Sequence, residues 1–85
     1  MKNISIKITD MLTGSEKNME ARMRSFSKNS VLNFFKKNNR EISGFIGGFG
    51  EASIDVCDGE TGEILCSGKY STNVFSGVSN LELVW

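Results

Sequence analysis

Residues 27–40, SKNSVLNFFKKNNR, contain the only strong helix pattern in this chain of 85 residues. At about 100° per residue, its four large apolar residues share one side of the helix. They are Val31, Leu32, Phe34 and Phe35. Ser27 can cap the start by accepting from the N–H of Ser30, and Asn38 or Asn39 can end the helix in a left-handed conformation. So short a helix is marginal alone in water, so we expect a sheet to cover its apolar side.

The overall composition indicates one small globular domain over residues 1–85. No apolar run approaches the ~20 residues needed to cross a membrane, and the alternating N-terminus lacks the apolar core of a signal peptide. We therefore expect a cytoplasmic protein with reduced thiols. The formal net charge is zero, which argues against general attraction to nucleic acid or anionic lipid.

Two segments before the helix alternate with the period of a strand. Ile4, Ile6 and Ile8 fall on one face of residues 3–12, which predicts a half-buried strand. Residues 19–26 alternate again after a turn-like stretch. A helix is the alternative there, since Met-Glu-Ala-Arg-Met-Arg contains good helix formers, but the period of two favours a strand.

After the helix, residues 41–50 contain four glycines, so we expect an irregular loop. Three of its residues are unusually apolar for a loop: Phe45, Ile46 and Phe49. One interpretation is that they close the open end of the core. The other is that they form an exposed apolar patch that docks a partner.

Residues 51–70 give the clearest sheet signal, a hairpin with a four-residue loop at 59–62. Asp58 can bond forward to the N–H groups of that loop, and Gly62 can take positive φ. A regular register places Val56 opposite Leu65. It also makes the two cysteines diagonal neighbours, at a separation too large for easy disulfide geometry.

The remaining segments complete the predicted architecture. Residues 69–80 are polar, with Val74, Phe75 and Val78 as isolated apolar anchors. Residues 81–85 alternate again, and we expect this last strand to be paired inside the sheet. The layout is therefore α+β in the order ββαβββ, an antiparallel sheet of about five strands with one helix on one face.

Ordinary catalytic machinery is missing from the sequence. There is no histidine to act as a general base, and the carboxylates near Cys57 and Cys66 would raise their thiol pKa values. The acidic hairpin lacks the spacing of a calcium loop, and the glycine loop follows a helix instead of opening one. We predict no catalytic residue, no metal ligand and no cofactor, and we predict that the protein is not an enzyme.

Charge is distributed unevenly along the chain. Residues 1–40 carry nine basic and three acidic side chains, a charge of +6, and residues 41–85 carry −6. The two halves can attract each other within one sheet, or each can mark an interaction surface. The acidic set could stand where nucleic-acid phosphates normally bind on a partner protein, with Phe45, Ile46 and Phe49 as the apolar anchor. It comprises Asp55, Asp58, Glu60 and Glu63.

A basic surface is the alternative binding site. Its residues could contact phosphates along one strand and the outer helix side, with Phe26 or Tyr70 stacking a base. They are Arg22, Arg24, Lys36, Lys37 and Arg40.

The strand-to-helix junction at residues 22–27, RMRSFS, leads into the apolar helix residues 31–35, VLNFF. In length and layout, the chain resembles small phage-encoded inhibitors, including anti-CRISPR proteins. That resemblance implies a non-enzymatic protein that occludes the surface of a host protein or protein–nucleic-acid complex. The alternatives are direct nucleic-acid binding and a subunit of a homo-oligomer that uses a sheet edge.

Overall fold

A five-stranded antiparallel sheet and two helices form the α+β fold. The computed structural model describes residues 2–46, 50–73 and 78–84. The strands are β1 (Lys2–Asp10), β2 (Glu16–Met23), β3 (Glu51–Asp58), β4 (Ile64–Asn73) and β5 (Val78–Val84), and the helices are α1 (Lys28–Lys37) and α2 (Asn39–Ile46). The order is thus ββααβββ, which corrects the predicted ββαβββ by one helix.

The strands lie in the order β2-β1-β3-β4-β5, and all neighbours are antiparallel. Since β1 lies between β2 and β3, the helical segment crosses over β1 to connect them. Over the described ranges, β5 pairs only with β4 and forms an edge of the sheet. The prediction that the last strand is paired inside the sheet was therefore wrong. Its final residue, Trp85, lies outside the described residues.

The side of the sheet that packs against the helices, here called the covered face, contains the core. Ile6 and Ile8 of β1 are fully buried and lie opposite Val56 and Ile54 of β3. Burying one such side chain contributes about 1.5–3 kcal/mol. The strand interpretation of residues 19–26 is confirmed over residues 19–23, since β2 begins earlier, at Glu16, and ends at Met23. Its covered-face residues are Met19, Ala21 and Met23.

Helix α1 begins as predicted, since Ser27 accepts from the N–H of Ser30 at 3.2 Å. Phe35 is buried, and its ring stacks on Tyr70 of β4 with the centroids 5.9 Å apart. Phe34 is half-buried against the same core. The helix ends at Lys37 because Asn38 turns its side-chain amide back onto the carbonyl of Phe34, at 2.9 Å. Asn38 has φ −105°, and no described residue other than glycine has a positive φ, so the left-handed termination predicted at Asn38 or Asn39 was wrong.

Helix α2 replaces much of the loop predicted for residues 41–50. It starts directly after α1, where the N–H of Ile42 donates to the carbonyl of Asn38 at 3.1 Å. Ile42 and Ile46, four residues apart, are both buried. That spacing outweighs Gly44, whose presence inside a helix costs about 1 kcal/mol relative to alanine.

The β3–β4 hairpin has the predicted loop but a different register. Cys57 lies opposite Ile64, but Val56 lies opposite Cys66 instead of the predicted Leu65, because a β-bulge interrupts the ladder after the turn. The bulge reverses the face of the sheet to which each later residue of β4 points. As a result Tyr70 points into the core and Lys69 points away from it, whereas a regular ladder would reverse them.

Strand β4 continues to Asn73, beyond the predicted hairpin of residues 51–70 and into the polar stretch of residues 69–80. Gly68 permits this pairing, because a Cβ at that position would lie 1.8 Å from the carbonyl oxygen of Glu82 on β5. The predicted anchors Val74 and Phe75 lie outside the described residues, and Val78 is the first residue of β5.

Candidate protein-binding surface

The side of the sheet opposite the covered face, here called the open face, has none of the described helices packed on it. Its central positions are small and polar, such as Ser5, Thr9 and Ser53, and all three are half-buried by their neighbours. Ten of the chain's charged side chains lie on this face or on the adjoining β3–β4 loop. The acidic ones are Glu16, Glu20, Glu51, Asp55, Glu60, Glu63 and Glu82, and the basic ones are Lys7, Arg22 and Lys69. Seven carboxylates against three basic groups give this surface a formal charge of −4.

The helix layer has the opposite charge. Four exposed basic residues lie on α1 and α2, and none makes an ion pair within the described ranges. They are Lys28, Lys36, Lys37 and Arg40. The single helical carboxylate, Glu41, is neutralised by Lys17 at 3.2 Å. The net charge of zero therefore conceals a basic side and an acidic side.

The two oppositely charged halves of the sequence only partly neutralise each other. Of the three ion pairs between described residues, Lys2–Asp58 and Lys17–Glu41 join the halves, at 3.4 and 3.2 Å. The third, Lys7–Glu16, lies within the first half. Internal attraction therefore leaves most of the charge exposed for other contacts.

Asp58 holds the hairpin loop together and is not displayed with its acidic neighbours. Its Oδ1 accepts from the N–H of Glu60 at 2.8 Å and of Thr61 at 3.3 Å, and Lys2 lies 3.4 Å from Oδ2. The Glu60 N–H is the main cause that holds the pKa of Asp58 below its ordinary value; partial burial opposes it, while Thr61 and Lys2 reinforce it. Gly62 adopts φ +78°, as predicted, to close the loop.

The other three predicted acidic residues are displayed at two places. Glu60 and Glu63 are exposed in the loop after β3. Asp55 lies on the open face in register with Lys7, whose ammonium binds Glu16 at 3.1 Å. The acidic surface in the structure therefore differs from the one predicted from the hairpin. Asp58 has a structural role instead, and the carboxylates of the open face lie on the same surface as Glu60 and Glu63.

The predicted apolar anchor lies mostly in the core. Ile46 is 7% exposed, which corrects its assignment to an exposed patch, and Phe45 is half-buried against the core. Phe49 lies outside the described residues. The interpretation that these residues close the core is therefore the correct one for Ile46.

Sequence reasoning missed the exposed apolar residues of the open face. Ile64 is 61% exposed opposite Cys57, and Val84 is 74% exposed opposite Ser67. Both lie toward the hairpin end of β4. Ile64 pairs directly with Cys57, and paired residues point to the same face of a sheet, so the hairpin pattern was sufficient to predict that Ile64 lies on the same face as Cys57. Val84 required the β4–β5 register, which the sequence does not indicate.

A second exposed apolar pair lies in the β1–β2 turn, at the end of the predicted strand 3–12. Met11 is 53% and Leu12 is 90% exposed. Asp10 positions this turn, because its buried carboxylate accepts from the N–H of Leu12 at 2.9 Å. The strand therefore ends two residues earlier than predicted, at Asp10.

The predicted basic strip is divided between two sides of the molecule. Arg22 lies on the open face, where its Nε donates to the Oδ1 of Asn3 at 3.2 Å beside a concavity of about 450 Å³. Lys36, Lys37 and Arg40 lie on the helices, and Arg24 lies in the β2–α1 loop. Tyr70 is 2% exposed, which corrects its proposed role in stacking a base.

The cysteines point to opposite faces of the sheet, so their side chains do not approach as disulfide partners. Cys57 is half-buried on the open face, and Cys66 is buried on the covered face. Burial raises the pKa of both thiols; Asp55 raises that of Cys57 further, and Cys57 that of Cys66. Within the described ranges, no cluster of acidic or thiol side chains has the geometry of a metal site.

None of the described helices is long and apolar enough to cross a bilayer. Comparison with protein-family models, with curated proteins and with solved structures finds no match. The functional argument therefore depends on the surface itself.

Proposed function

We propose that this chain is a non-enzymatic binding protein that presents the open face and the β3–β4 loop to a basic groove on a partner protein. A natural groove of that kind is one that normally holds nucleic-acid phosphates. The proposed activity is occlusion of host nucleic-acid machinery, as in the anti-CRISPR type of phage-encoded inhibitor, in the host cytoplasm.

The observation that carries the proposal is the separation of charge between the two sides of the sheet. A formal charge of −4 on one surface, at zero net charge, produces a directed field without general repulsion from acidic molecules. Such a field accelerates association with a basic partner and orients the encounter. The helix layer faces away from the partner in this arrangement.

The geometry of the acidic loop supports the same conclusion. Asp58 and Gly62 fix the backbone conformation of the loop that carries Glu60 and Glu63. Binding through these two residues therefore costs little backbone entropy. Ile64 and Val84 add exposed apolar area beside the carboxylates. An interface with an apolar centre and a charged surround is typical of protein partners.

The thiols give no support to a catalytic alternative. A nucleophilic cysteine requires a lowered pKa, whereas burial raises the pKa of both Cys57 and Cys66. Their raised pKa values favour a structural role.

A matched pair of charge reversals tests the proposal. The double variant Glu60→Lys/Glu63→Lys reverses the acidic loop, and Lys36→Glu/Lys37→Glu reverses the helix layer by the same amount. All four positions are exposed, so Glu60→Lys/Glu63→Lys should keep the wild-type unfolding free energy within about 0.5 kcal/mol. Lys36→Glu/Lys37→Glu should lower it by about 1–2 kcal/mol, because it places two acids at the C-terminal end of α1, so its folding is checked by circular dichroism before use. Each tagged protein is used to capture partners from a bacterial lysate, and the recovered partner is then purified and titrated.

We expect the acidic-loop variant to weaken binding by roughly tenfold or more, chiefly at low salt, because unlike charges at the interface become like charges. The helix-layer variant should bind as the wild type does. Recovery of no specific partner, or equal weakening by both variants, would contradict the proposal.

Nucleic-acid binding is a second candidate, favoured by the four unpaired cations of the helix layer. It predicts a salt-dependent gel shift with DNA or RNA that Lys36→Glu/Lys37→Glu abolishes and Glu60→Lys/Glu63→Lys preserves or strengthens. The same two variants thus separate the two functions, since each function depends on a different side of the sheet.

A further inference from the structure

The two edges of the sheet differ in a way that bears on assembly. Four of the eight residues of edge strand β2 are charged: Glu16, Lys17, Glu20 and Arg22. Edge strand β5 has seven residues and one charge, Glu82. Charged residues are a common means by which natural sheets prevent pairing between molecules, so β2 is protected and β5 is not.

Strand β5 also lacks the other features that protect an edge. Its register with β4 is uninterrupted from Val78 to Val84, and the chain contains no proline. A bulge interrupts the β3–β4 ladder, so the uninterrupted register is a property of β5 and not of every strand pair in the sheet. The outer side of β5 therefore presents a straight row of backbone donors and acceptors that no described residue occupies.

The sequence of β5 is complementary to itself in one register. We propose that β5 pairs antiparallel with β5 of a second copy of this chain, about a two-fold axis at Leu81. Asn80 of one copy then lies opposite Glu82 of the other on the open face, so the amide can donate to the carboxylate. The two Leu81 residues meet on the covered face, where Leu81 is already half-buried in each copy.

The neighbouring registers are less favourable. An axis at Glu82 places the two carboxylates directly opposite each other, which is destabilising. An axis at Asn80 or at Leu83 leaves Glu82 opposite a valine. Glu82 lies opposite Lys69 of β4 in every register, and among these axes only the one at Leu81 also gives it a polar partner in the second copy.

The proposed dimer has a ten-stranded sheet in which both open faces lie on the same side, because the two-fold axis is perpendicular to the sheet. Its helix layers lie together on the other side. The dimer would double the acidic surface, but the self-pairing argument does not depend on the proposed function.

The test changes one exposed residue, Asn80, in two opposite directions. Asn80→Lys places a lysine opposite Glu82 of the second copy, and Asn80→Glu places a second carboxylate there. The matched controls are Asn18→Lys and Asn18→Glu, since Asn18 is an exposed open-face asparagine on the other edge strand. Molar mass is measured by light scattering and sedimentation from low micromolar to millimolar protein.

We expect a wild-type dimer whose dissociation constant falls with Asn80→Lys and rises with Asn80→Glu, by roughly 2- to 30-fold for the two equivalent pairs. The Asn18 variants should match the wild type. A wild type that stays monomeric at millimolar concentration would overturn the proposal, and it would indicate that the edge receives a strand from another protein or stays free. A dimer equally sensitive at Asn18, or insensitive to both Asn80 variants, would also overturn it.

Discussion

The two faces of the sheet show how one alternating sequence can serve two purposes. On β1, the covered face carries Ile4, Ile6 and Ile8, none more than 1% exposed, and the open face carries Ser5, Lys7 and Thr9. The first set binds the helices to the sheet, whereas the second leaves a polar surface that no described helix covers. Stability should therefore depend on the covered face, and any binding through the sheet should depend on the open face.

The largest expected effect is at Phe35, the helix residue that stacks on Tyr70. Phe35→Ala should lower the free energy of unfolding by about 3–5 kcal/mol, because it removes a buried ring and leaves a cavity. Ser53→Ala, at the centre of the open face, is the matched control and should change it by less than about 0.5 kcal/mol. Urea unfolding of both variants measures the contrast. Similar losses at both sites would contradict the division between the faces.

A smaller effect is expected from the polar contacts between α2 and β4. The Tyr70 hydroxyl donates to the Oδ1 of Asn39 and lies 3.2 Å from the hydroxyl of Ser43. Tyr70→Phe should destabilise the protein by about 1 kcal/mol, since it leaves the half-buried side chains of Asn39 and Ser43 with fewer partners. Ser71→Ala removes a hydroxyl from the adjacent open-face position and should be nearly neutral. Thermal unfolding of the two variants distinguishes these outcomes.

Acid should weaken the hairpin through Asp58. Its pKa is lower in the folded protein than in the unfolded chain, so its contribution is fully present above about pH 4 and is lost as pH falls through the folded pKa. Asp58→Asn keeps a side-chain oxygen for the loop N–H groups but cannot titrate. The difference in unfolding free energy between wild type and variant should therefore shrink as the solution is acidified. A constant difference would show that the carboxylate charge is not stabilising.

The smallest expected effect concerns the rates at which the two cysteines react, because one lies on each face of the sheet. A thiol reagent should label Cys57 slowly in the native protein, and label Cys66 only after unfolding, because Cys66 is 4% exposed on the covered face. Labelling of Cys57 should accelerate as pH rises, since its pKa is raised. Cys57→Ser and Cys66→Ser identify which thiol reacts. Rapid native labelling of Cys66 would contradict the assignment of the faces.

Local features of the sequence were sufficient for several elements. The alternation of Ile4, Ile6 and Ile8 predicted β1, and Ser27 predicted the start of α1. Asp58 and Gly62 predicted the hairpin loop. The alternation, the helix cap and the loop conformation each depend on residues a few positions apart, so the local sequence is sufficient to predict them.

The candidate surface was only partly predictable. The place of Glu60 and Glu63 in a polar loop predicts their exposure, whereas Asp58 was predicted both to hold the loop and to join the acidic surface, and only the first role is confirmed. The four glycines of residues 41–50 favour a loop at Ile46, but its spacing of four residues from Ile42 places both on the buried side of α2. The carboxylates that join the acidic surface from β2 and β5 could not be grouped before the strand order was known.

The sequence by itself determined the strand periodicity, the cap of α1 and the chemistry of the hairpin loop, because these depend on neighbouring residues. The tertiary structure decided the strand order, the second helix and which residues of β4 point into the core. The bulge after the hairpin illustrates the reason. A regular ladder is locally acceptable, but it would bury Lys69 and expose Tyr70. Only the requirement to fill the space beside Phe35 with an aromatic ring, and to leave an ammonium in water, selects the register that the protein adopts.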